Sequence, residues 1–364
     1  MARPTPLLER HRARGAELVE EGGWILPARF GAPLDEYAAV RSAAGLFDLC
    51  DHAVVRLTGP DRVSFLQGMV SNDVKKLAPG HGLYAAVLDV NGKVLADLRV
   101  LADDESFILL LREPLKRKVI DHLNRYLVAD DVEIEDPDGR YGVVSLQGPH
   151  ALLWLGAAAP RQDPPLHMYD HRMLRVGGRA VRAVRSTHTG EEGFDLLTEV
   201  GDLAAVVEEL ERAGAPLSAR WAGFEAGEIL RIEAGLPRYG VDMDEDTLLL
   251  ETGLDHAVSF QKGCYLGQEV IERVHSRGHV NKKLAGLMLD GKSPARRGDR
   301  ISAGDREIGR ITSSVFSPKI NRVIALGYLQ RDHLEPAMEV AVRLDGAEVG
   351  GVVTALPFVY ETTP

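Results

Sequence analysis

Cysteine is scarce in this chain: only Cys50 and Cys264 occur among its 364 residues. Two cysteines so far apart in the sequence form neither a disulfide framework nor a cysteine-based zinc site. We therefore predict no metal site. Low cysteine content is also typical of a protein from a reducing compartment, so we expect a cytoplasmic location.

Long apolar runs and extended basic stretches are also lacking. No segment approaches the length of a transmembrane helix, and the first residues lack the apolar stretch of a signal peptide. The 54 acidic residues outnumber the 43 basic ones, which gives a formal net charge of −11. Without a long apolar segment we expect no membrane insertion. Because an acidic chain is repelled by phosphate backbones, we also expect no direct nucleic-acid binding.

The length and the 45% apolar content allow large hydrophobic cores and two or three domains. Strand-like and helical patterns are mixed up to about residue 280, and beyond it short strands with regular turns predict a small β-barrel or sandwich. We therefore predict an α+β protein. Residues 1–280 would form two interleaved α/β subdomains, one at roughly 50–145, and residues 281–364 an all-β domain.

The densest polar cluster reads KGCYLGQE and occupies residues 262–269. It contains Cys264, and the residues after it have the apolar spacing of a helix start. Near a helix N-terminus and an ammonium group such as that of Lys262, a thiolate is favoured, because the amide dipoles and the cation both stabilise the anion. Cys264 is thus a candidate for chemistry, with Lys262 as its activator. The alternative is a small buried hydrophobic residue in a tight turn.

Asn91-Gly92 separates two strand-like segments and is the strongest short signal for a β-hairpin. With a two-residue loop, Tyr84 and Asp97 share one face of the hairpin as diagonal neighbours. An acid and a phenol on an apolar face belong either to an internal ion pair, with Arg99 two residues along, or to a ligand site. Spacing alone favours the internal ion pair.

Asp195 stands between Phe194 and Leu196, so in a strand its carboxylate points away from those two side chains. A carboxylate on the inner side of a strand needs hydrogen-bond donors. An arginine could supply them, and so could a flat ligand with two parallel N–H groups, such as a pterin ring.

Ordered landmarks along the chain resemble the glycine-cleavage T-protein (aminomethyltransferase) superfamily. They include EYAAVR at 36–41, AGLFDL at 44–49, residues 82–97 and 187–195, RIEAGLP at 231–237 and IGRITS at 308–313. The resemblance implies a three-domain T-protein-like fold around a tetrahydrofolate pocket, with a C-terminal β-barrel. Within the superfamily, KGCYLGQE is similar to the motif of the YgfZ-type folate-binding branch, which supports iron–sulfur enzymes that include tRNA-modifying ones.

The resemblance also implies functional residues. Tyr84 and Asp97 match the tyrosine and the aspartate that aminomethyltransferases place beside the folate, and the aspartate is the residue credited with catalysis. Asp195 matches a pterin-binding glutamate and is one methylene shorter. Cys264 matches the characteristic cysteine of the YgfZ-type branch.

Three further positions complete the predicted site. His188 stands where the transferases usually have a tyrosine, and we predict that it contacts the cofactor. Arg231, the first residue of its landmark, is also a predicted cofactor contact. Gly227 stands where the transferases have an arginine near the reacting carbon, and losing that arginine argues against aminomethyl transfer.

Our leading hypothesis is therefore an accessory protein that binds tetrahydrofolate, or a one-carbon derivative of it, and supports iron–sulfur client proteins. Cys264 would be its key thiol, activated by Lys262. The first alternative is an aminomethyltransferase that accepts a one-carbon unit from a lipoylated carrier, with Asp97 assisting attack by the folate nitrogen. The second is a non-catalytic folate-binding protein or sensor.

Overall fold

The computed structural model describes residues 2–344 and 346–359, which fall into two compact units. The units interleave along the sequence. The first comprises Met1–Val87, Leu95–Gly227 and His256–Leu266, and the second comprises Leu88–Val94, Glu228–Asp255 and Gly267–Pro364. The division into residues 1–280 and 281–364 stays a prediction.

Strands and helices are mixed along most of the chain. The strands are β1 (Arg3–Pro4), β2 (Glu17–Glu21), β3 (Trp24–Arg29), β4 (Gly45–Asp48), β5 (His52–Thr58), β6 (Gly82–Leu88), β7 (Val94–Ala102), β8 (Phe107–Arg112), β9 (Glu133–Glu135), β10 (Tyr141–Gln147), β11 (His171–Val176), β12 (Arg179–Arg185), β13 (Gly193–Glu199), β14 (Arg220–Trp221), β15 (Lys282–Leu289), β16 (Arg300–Ala303), β17 (Arg306–Ser317), β18 (Arg322–Gln330), β19 (Glu339–Leu344) and β20 (Ala347–Thr354). The α-helices are α1 (Leu8–Ala13), α2 (Pro33–Ser42), α3 (Arg62–Met69), α4 (Glu113–Tyr126), α5 (Ala151–Ala158), α6 (Val200–Gly214), α7 (Phe224–Glu233) and α8 (Gln268–Arg277). None of these described helices is long and apolar enough to cross a membrane.

The first unit is built on three sheets. The smallest has the order β1-β3-β2, a five-stranded sheet has the order β6-β7-β8-β5-β9, and a six-stranded sheet has the order β11-β12-β13-β10-β4-β14. Strand β9 lies at the edge of its sheet, where its solvated charges are tolerated.

The six-stranded sheet is covered on both faces. On one face, Phe194 and Leu196 of β13 belong to a core cluster that also contains residues of α5 and α6. Helix α6 contributes buried residues at the spacing of an amphipathic helix: Leu203, Val206, Val207 and Leu210. On the other face, Leu197 of β13 packs in a separate cluster with Leu101 of β7. Because side chains alternate along a strand, Asp195 shares the face of Leu197, and Arg99 shares the face of Leu101.

The second unit contains a closed six-stranded barrel with the order β15-β18-β17-β16-β19-β20. Its neighbouring strands are antiparallel. Alternate residues of each strand fill the barrel interior, as Val323 and Ala325 of β18 do beside Leu287 and Ile311. The small β-barrel predicted for the end of the chain is therefore confirmed.

The hairpin of β6 and β7 is confirmed, but the predicted two-residue loop is wrong. The Asp89 N–H donates to the Lys93 oxygen, and the Gly92 N–H donates to the Asp89 oxygen, so three residues form the loop. Gly92 has φ +75°, a left-handed conformation that suits glycine. This arrangement is the three-residue loop in which a turn is followed by a left-handed residue.

We expect Gly92→Ala to destabilise the protein more than Gly278→Ala does. Both glycines have left-handed φ angles, +75° and +80°, and a methyl group there costs about 1 kcal/mol. A Cβ at Gly92 would also lie 3.0 Å from the Cβ of Val270, whereas no heavy atom lies within 4 Å of a Cβ at Gly278. Urea unfolding of both variants measures the difference, and equal losses would contradict this account of the loop.

Candidate functional site

The predicted pair on the β6–β7 hairpin is present. The Tyr84 hydroxyl donates a hydrogen bond of 2.5 Å to Oδ2 of Asp97. Burial raises the pKa of Tyr84 well above its usual value, and the nearby Asp97 charge raises it further. Tyr84 therefore keeps its proton at neutral pH and acts as the donor to the carboxylate.

Two aromatic rings extend the surface of Tyr84. Tyr169 and His256 lie nearly parallel to it, with ring centroids at 5.9 and 5.3 Å. The Asn72 amide donates to the backbone oxygens of Tyr84 and His256 and so ties the two segments together. Tyr169 has an unusual left-handed φ of +66°. Tyr169 lies in a turn and His256 in a three-residue 3₁₀ helix, and neither belongs to a motif that would have marked it in the sequence.

Arg99 does not pair with Asp97. Neither residue makes an ion pair with the other in the part of the chain that the structure describes, so the predicted internal pair is wrong. Arg99 instead points towards the six-stranded sheet, where its Nη1 lies 4.0 Å from Oδ2 of Asp195. This direction follows from the packing of Leu101 against Leu197, two residues further along each strand.

Asp195 is fully buried and has two closer partners. The Ser145 hydroxyl donates to its Oδ1 at 2.7 Å, and Nε2 of His188 lies 2.9 and 3.1 Å from its two carboxylate oxygens. Burial alone would raise the pKa of Asp195, but His188, Arg99 and Ser145 outweigh it and hold the pKa well below the usual range. Asp195 is therefore an ionised acceptor. An imidazole and a hydroxyl are its hydrogen-bond donors, and the arginine that the sequence pattern allowed for is Arg99, at the longer distance of 4.0 Å.

The Asp195 carboxylate holds the imidazole ring of His188. Gln147 holds the backbone of the same residue, because its Oε1 accepts the backbone N–H of His188. Burial lowers the pKa of His188, Asp195 opposes this change, and the Arg99 cation lowers the pKa further. The imidazole is therefore neutral at pH 7, with its Nε2–H directed at Asp195. A quarter of the His188 side chain is exposed, so it borders solvent while Asp195 does not.

A second buried carboxylate lies close to this cluster. Asp51 accepts from Nδ1 of His52 at 3.0 Å and pairs with Arg112 at 2.7 Å. The His52 ring meets the His188 ring edge-on, with centroids 5.8 Å apart. This row of charges carries no sequence signal, because its members come from strand ends that only the fold brings together.

Lys262 is buried, whereas Cys264 is exposed. The Lys262 ammonium donates to the backbone oxygens of Gln67, Val70 and Asn72 at 2.5 to 2.8 Å. Burial lowers the pKa of Lys262 to about 8, so at pH 7 it still has three N–H donors. These contacts tie its segment to the end of α3. Activation of Cys264 by Lys262 stays a prediction.

The two cysteines have opposite environments. Cys50 is buried, its thiol donates to the Val143 oxygen, and burial raises its pKa well above the usual value. Cys264 is exposed, so its interpretation as a buried hydrophobic residue is wrong. It lies four residues before the first residue of α8. A catalytic role for this exposed thiol stays a prediction.

Arg231 is buried in the second unit and has every donor in use. Its five N–H groups match five acceptors, which belong to Glu228, Asp242, Ser313 and the Leu236 backbone. No donor of Arg231 is left for a ligand. The geometry therefore gives Arg231 a scaffold role, and cofactor binding by Arg231 has no support from these contacts.

Gly227, in the first unit, leaves room for a side chain. A Cβ there would lie 3.4 Å from the Phe47 ring, an ordinary contact.

Across residues 2–344 and 346–359, no three His, Cys, Asp or Glu side chains are grouped so that they could hold a metal ion.

Two family models match this chain. The model of the GCVT N-terminal domain matches residues 7–262, and the model of the glycine cleavage T-protein C-terminal barrel domain matches residues 282–359.

Curated relatives match over nearly the whole chain. The chain is 34% identical over 357 residues to an aminomethyltransferase of Rubrobacter xylanophilus, and the match covers 98% of this chain and 94% of the relative. It is 33% identical to an aminomethyltransferase of Thermus thermophilus, with 98% of both chains covered. Among solved structures, it is similar to the glycine cleavage system aminomethyltransferase T from Bartonella henselae. That match has a TM-score of 0.90 and 26% identity, and it covers 99% of this chain and 98% of the other.

We expect Lys262→Met to lower the free energy of unfolding by about 2–4 kcal/mol, because three buried backbone oxygens lose a charged donor. Lys75→Met is the matched control, since Lys75 is exposed, and it should change stability by less than about 0.5 kcal/mol. Chemical denaturation measures both variants. If Lys262→Met were as stable as the control, the ammonium would not hold this segment in place.

We expect Arg99→Met to raise the pKa of His188, because it removes a nearby cation that disfavours the imidazolium. Asp195→Asn should lower the same pKa, because it removes the carboxylate that favours the imidazolium. An NMR titration of the His188 ring measures both shifts. Arg175→Met removes an exposed arginine whose guanidinium donates to the Gly178 backbone, and it should leave the His188 pKa unchanged. An unchanged pKa in Arg99→Met would show that Arg99 does not act on His188.

Proposed function

We propose, since this chain belongs to the glycine cleavage T-protein family, that it is a tetrahydrofolate-dependent aminomethyltransferase. The predicted T-protein-like fold is confirmed at the family level. Tetrahydrofolate, which the resemblance implied, is the cofactor that this family uses. The observation that carries the proposal is the hydrogen bond between Tyr84 and Asp97, which joins the two strands of the β6–β7 hairpin.

The leading hypothesis from the sequence was wrong. It made the chain an accessory protein for iron–sulfur clients, with the aminomethyltransferase only as an alternative. Relatives that are 32–34% identical over 98% of this chain are aminomethyltransferases, and the matching T structure has a TM-score of 0.90. The KGCYLGQE motif at 262–269 had outweighed the rest of the sequence in that hypothesis, and the YgfZ-type branch is not supported by these relatives.

The residues of the first unit fit a reduced folate. Arg99 has a buried Nε without a hydrogen-bond partner among the described residues, and the ionised Asp195 lies beside it. The Tyr84 hydroxyl is bonded to Asp97, and the rings of Tyr169 and His256 lie nearly parallel to the Tyr84 ring. Aromatic surface therefore lies close to this carboxylate. A heterocycle with polar edges and a flat face needs these two kinds of contact. We assign Tyr84, Asp97, His188 and Asp195 to the folate site.

Asp97 is the residue to which we assign catalysis. Bound tetrahydrofolate would supply the nucleophilic nitrogen that takes up the one-carbon unit, while the bond from this carbon to the lipoyl sulfur breaks and its amine leaves as ammonia. A carboxylate held close to that nitrogen stabilises positive charge there or accepts its proton. Tyr84 fixes the orientation of the carboxylate, because its hydroxyl donates to Oδ2 and keeps its proton at neutral pH.

We expect Asp97→Asn to lower the rate of aminomethyl transfer from an aminomethylated lipoyl carrier to tetrahydrofolate by about 10²- to 10⁴-fold. Its affinity for tetrahydrofolate should change far less, because the amide is nearly the same size. Fixed-time assays of methylenetetrahydrofolate formation measure the transfer rate, and calorimetry measures the affinity for tetrahydrofolate. The control is Asp104→Asn, which changes an exposed carboxylate on the loop after β7.

The same assays separate the remaining alternatives. A wild-type protein that binds tetrahydrofolate without transferring the one-carbon unit would be a folate-binding protein without catalysis, and our proposal would fail. Cys264→Ser belongs in the same series. A lower transfer rate with unchanged folate affinity would give the exposed thiol a part in the reaction.

A further inference from the structure

Two buried arginines of this chain differ sharply in how their donors are used. Arg231 and Arg99 are exposed to 8% and 9% respectively. Arg231 donates all five of its N–H groups at 2.7 to 3.0 Å. Arg99 has one contact of 3.5 Å, from Nη2 to Nε2 of His188, and one ion-pair distance of 4.0 Å to Asp195. Its Nε has no partner in the part of the chain that the structure describes.

Such an arginine is costly for the folded protein. A buried donor without an acceptor costs about 1–3 kcal/mol, and more on a charged group. A structural ion pair with Asp195 would bring the guanidinium within about 2.7–2.9 Å of the carboxylate. The 4.0 Å separation instead leaves Nε and Nη1 as donors without short bonds.

The surroundings of Arg99 indicate which ligand atom these donors would meet. Asp195 beside it is an ionised acceptor, so an anionic group at this position would be repelled. A neutral carbonyl oxygen accepts from a guanidinium without that repulsion. The pteridine ring of folate carries one such oxo group, next to a ring N–H.

We propose that Arg99 is a specificity-determining residue that donates to the oxo group of the pteridine ring. This inference rests on the proposed function, since it takes a reduced folate as the ligand. Arg99 is a residue of β7, two positions after Asp97 and on the same face, so one strand presents both the recognition residue and the carboxylate. Recognition of the oxo group therefore fixes the ring relative to Asp97.

The test compares two ligands that differ at one position of the ring. Tetrahydrofolate carries the oxo group, and tetrahydroaminopterin carries an amino group in its place, which repels a donor. Calorimetry gives both dissociation constants for the wild-type protein and for Arg99→Met. We expect the substitution to weaken tetrahydrofolate binding about 10- to 100-fold and to leave tetrahydroaminopterin binding unchanged or tighter. The ratio of the two constants therefore changes by at least about tenfold.

Arg112→Met is the matched control. It also removes a guanidinium from the first unit, but Arg112 is paired with Asp51 at 2.7 Å. It should change both dissociation constants by the same factor. A second measurement uses the wild-type protein alone: the ¹⁵N resonance of the Arg99 Nε should shift with tetrahydrofolate and stay in place with tetrahydroaminopterin. If Arg99→Met does not fold, this measurement still tests whether Arg99 donates to the oxo group.

The outcomes separate the two proposals. If the wild-type protein binds neither compound, the proposed function fails. If it binds tetrahydrofolate, and Arg99→Met weakens both compounds equally, the function stands and the role of Arg99 is overturned. An Arg99 resonance that responds in the same way to both compounds would also overturn it.

Discussion

The charge of Arg99, buried between two sheets, is the constraint on which the candidate site depends. The five-stranded and six-stranded sheets of the first unit meet through an apolar cluster that contains Leu101 and Leu197. That packing fixes the strands that carry Arg99 and Asp195, two residues before each leucine. The short aspartate side chain leaves 4.0 Å between carboxylate and guanidinium. The cation is thus close enough to act on its neighbours without being neutralised by a short ion pair.

The neighbours of Arg99 take their protonation states from this arrangement. The cation helps to keep Asp195 ionised and lowers the pKa of His188, so a neutral imidazole lies against an ionised carboxylate. It also opposes the rise in the pKa of Tyr84 that burial and Asp97 cause. Tyr84 is still strongly shifted and keeps its proton. One buried cation thus acts on the pKa values of three neighbouring side chains: Asp195, His188 and Tyr84.

Local patterns in the sequence were enough for part of this site. Asn91-Gly92 predicted the hairpin that joins Tyr84 to Asp97, and strand alternation predicted that Asp195 points away from Phe194 and Leu196. The loop has three residues and not the predicted two, yet Tyr84 and Asp97 are hydrogen-bonded to each other. The partners of Asp195 were out of reach, because they depend on which strands pair and which sheets face each other. The acceptors of Lys262 are backbone oxygens about 190 residues earlier in the chain, and these carry no sequence signal at all.

The same limitation explains why a dense motif misled the functional hypothesis. A cluster such as residues 262–269 shows which polar residues are adjacent in sequence, whereas chemistry depends on which donors and acceptors are left unsatisfied after folding. Lys262 and Arg231 look like site residues by type, yet their donors are used to join segments of their own unit. Arg99 was considered only as a partner for Asp97, yet its donors lack short bonds. Counting the donors of each buried cation therefore separates residues that hold the fold from residues available to a ligand, and residue type alone does not.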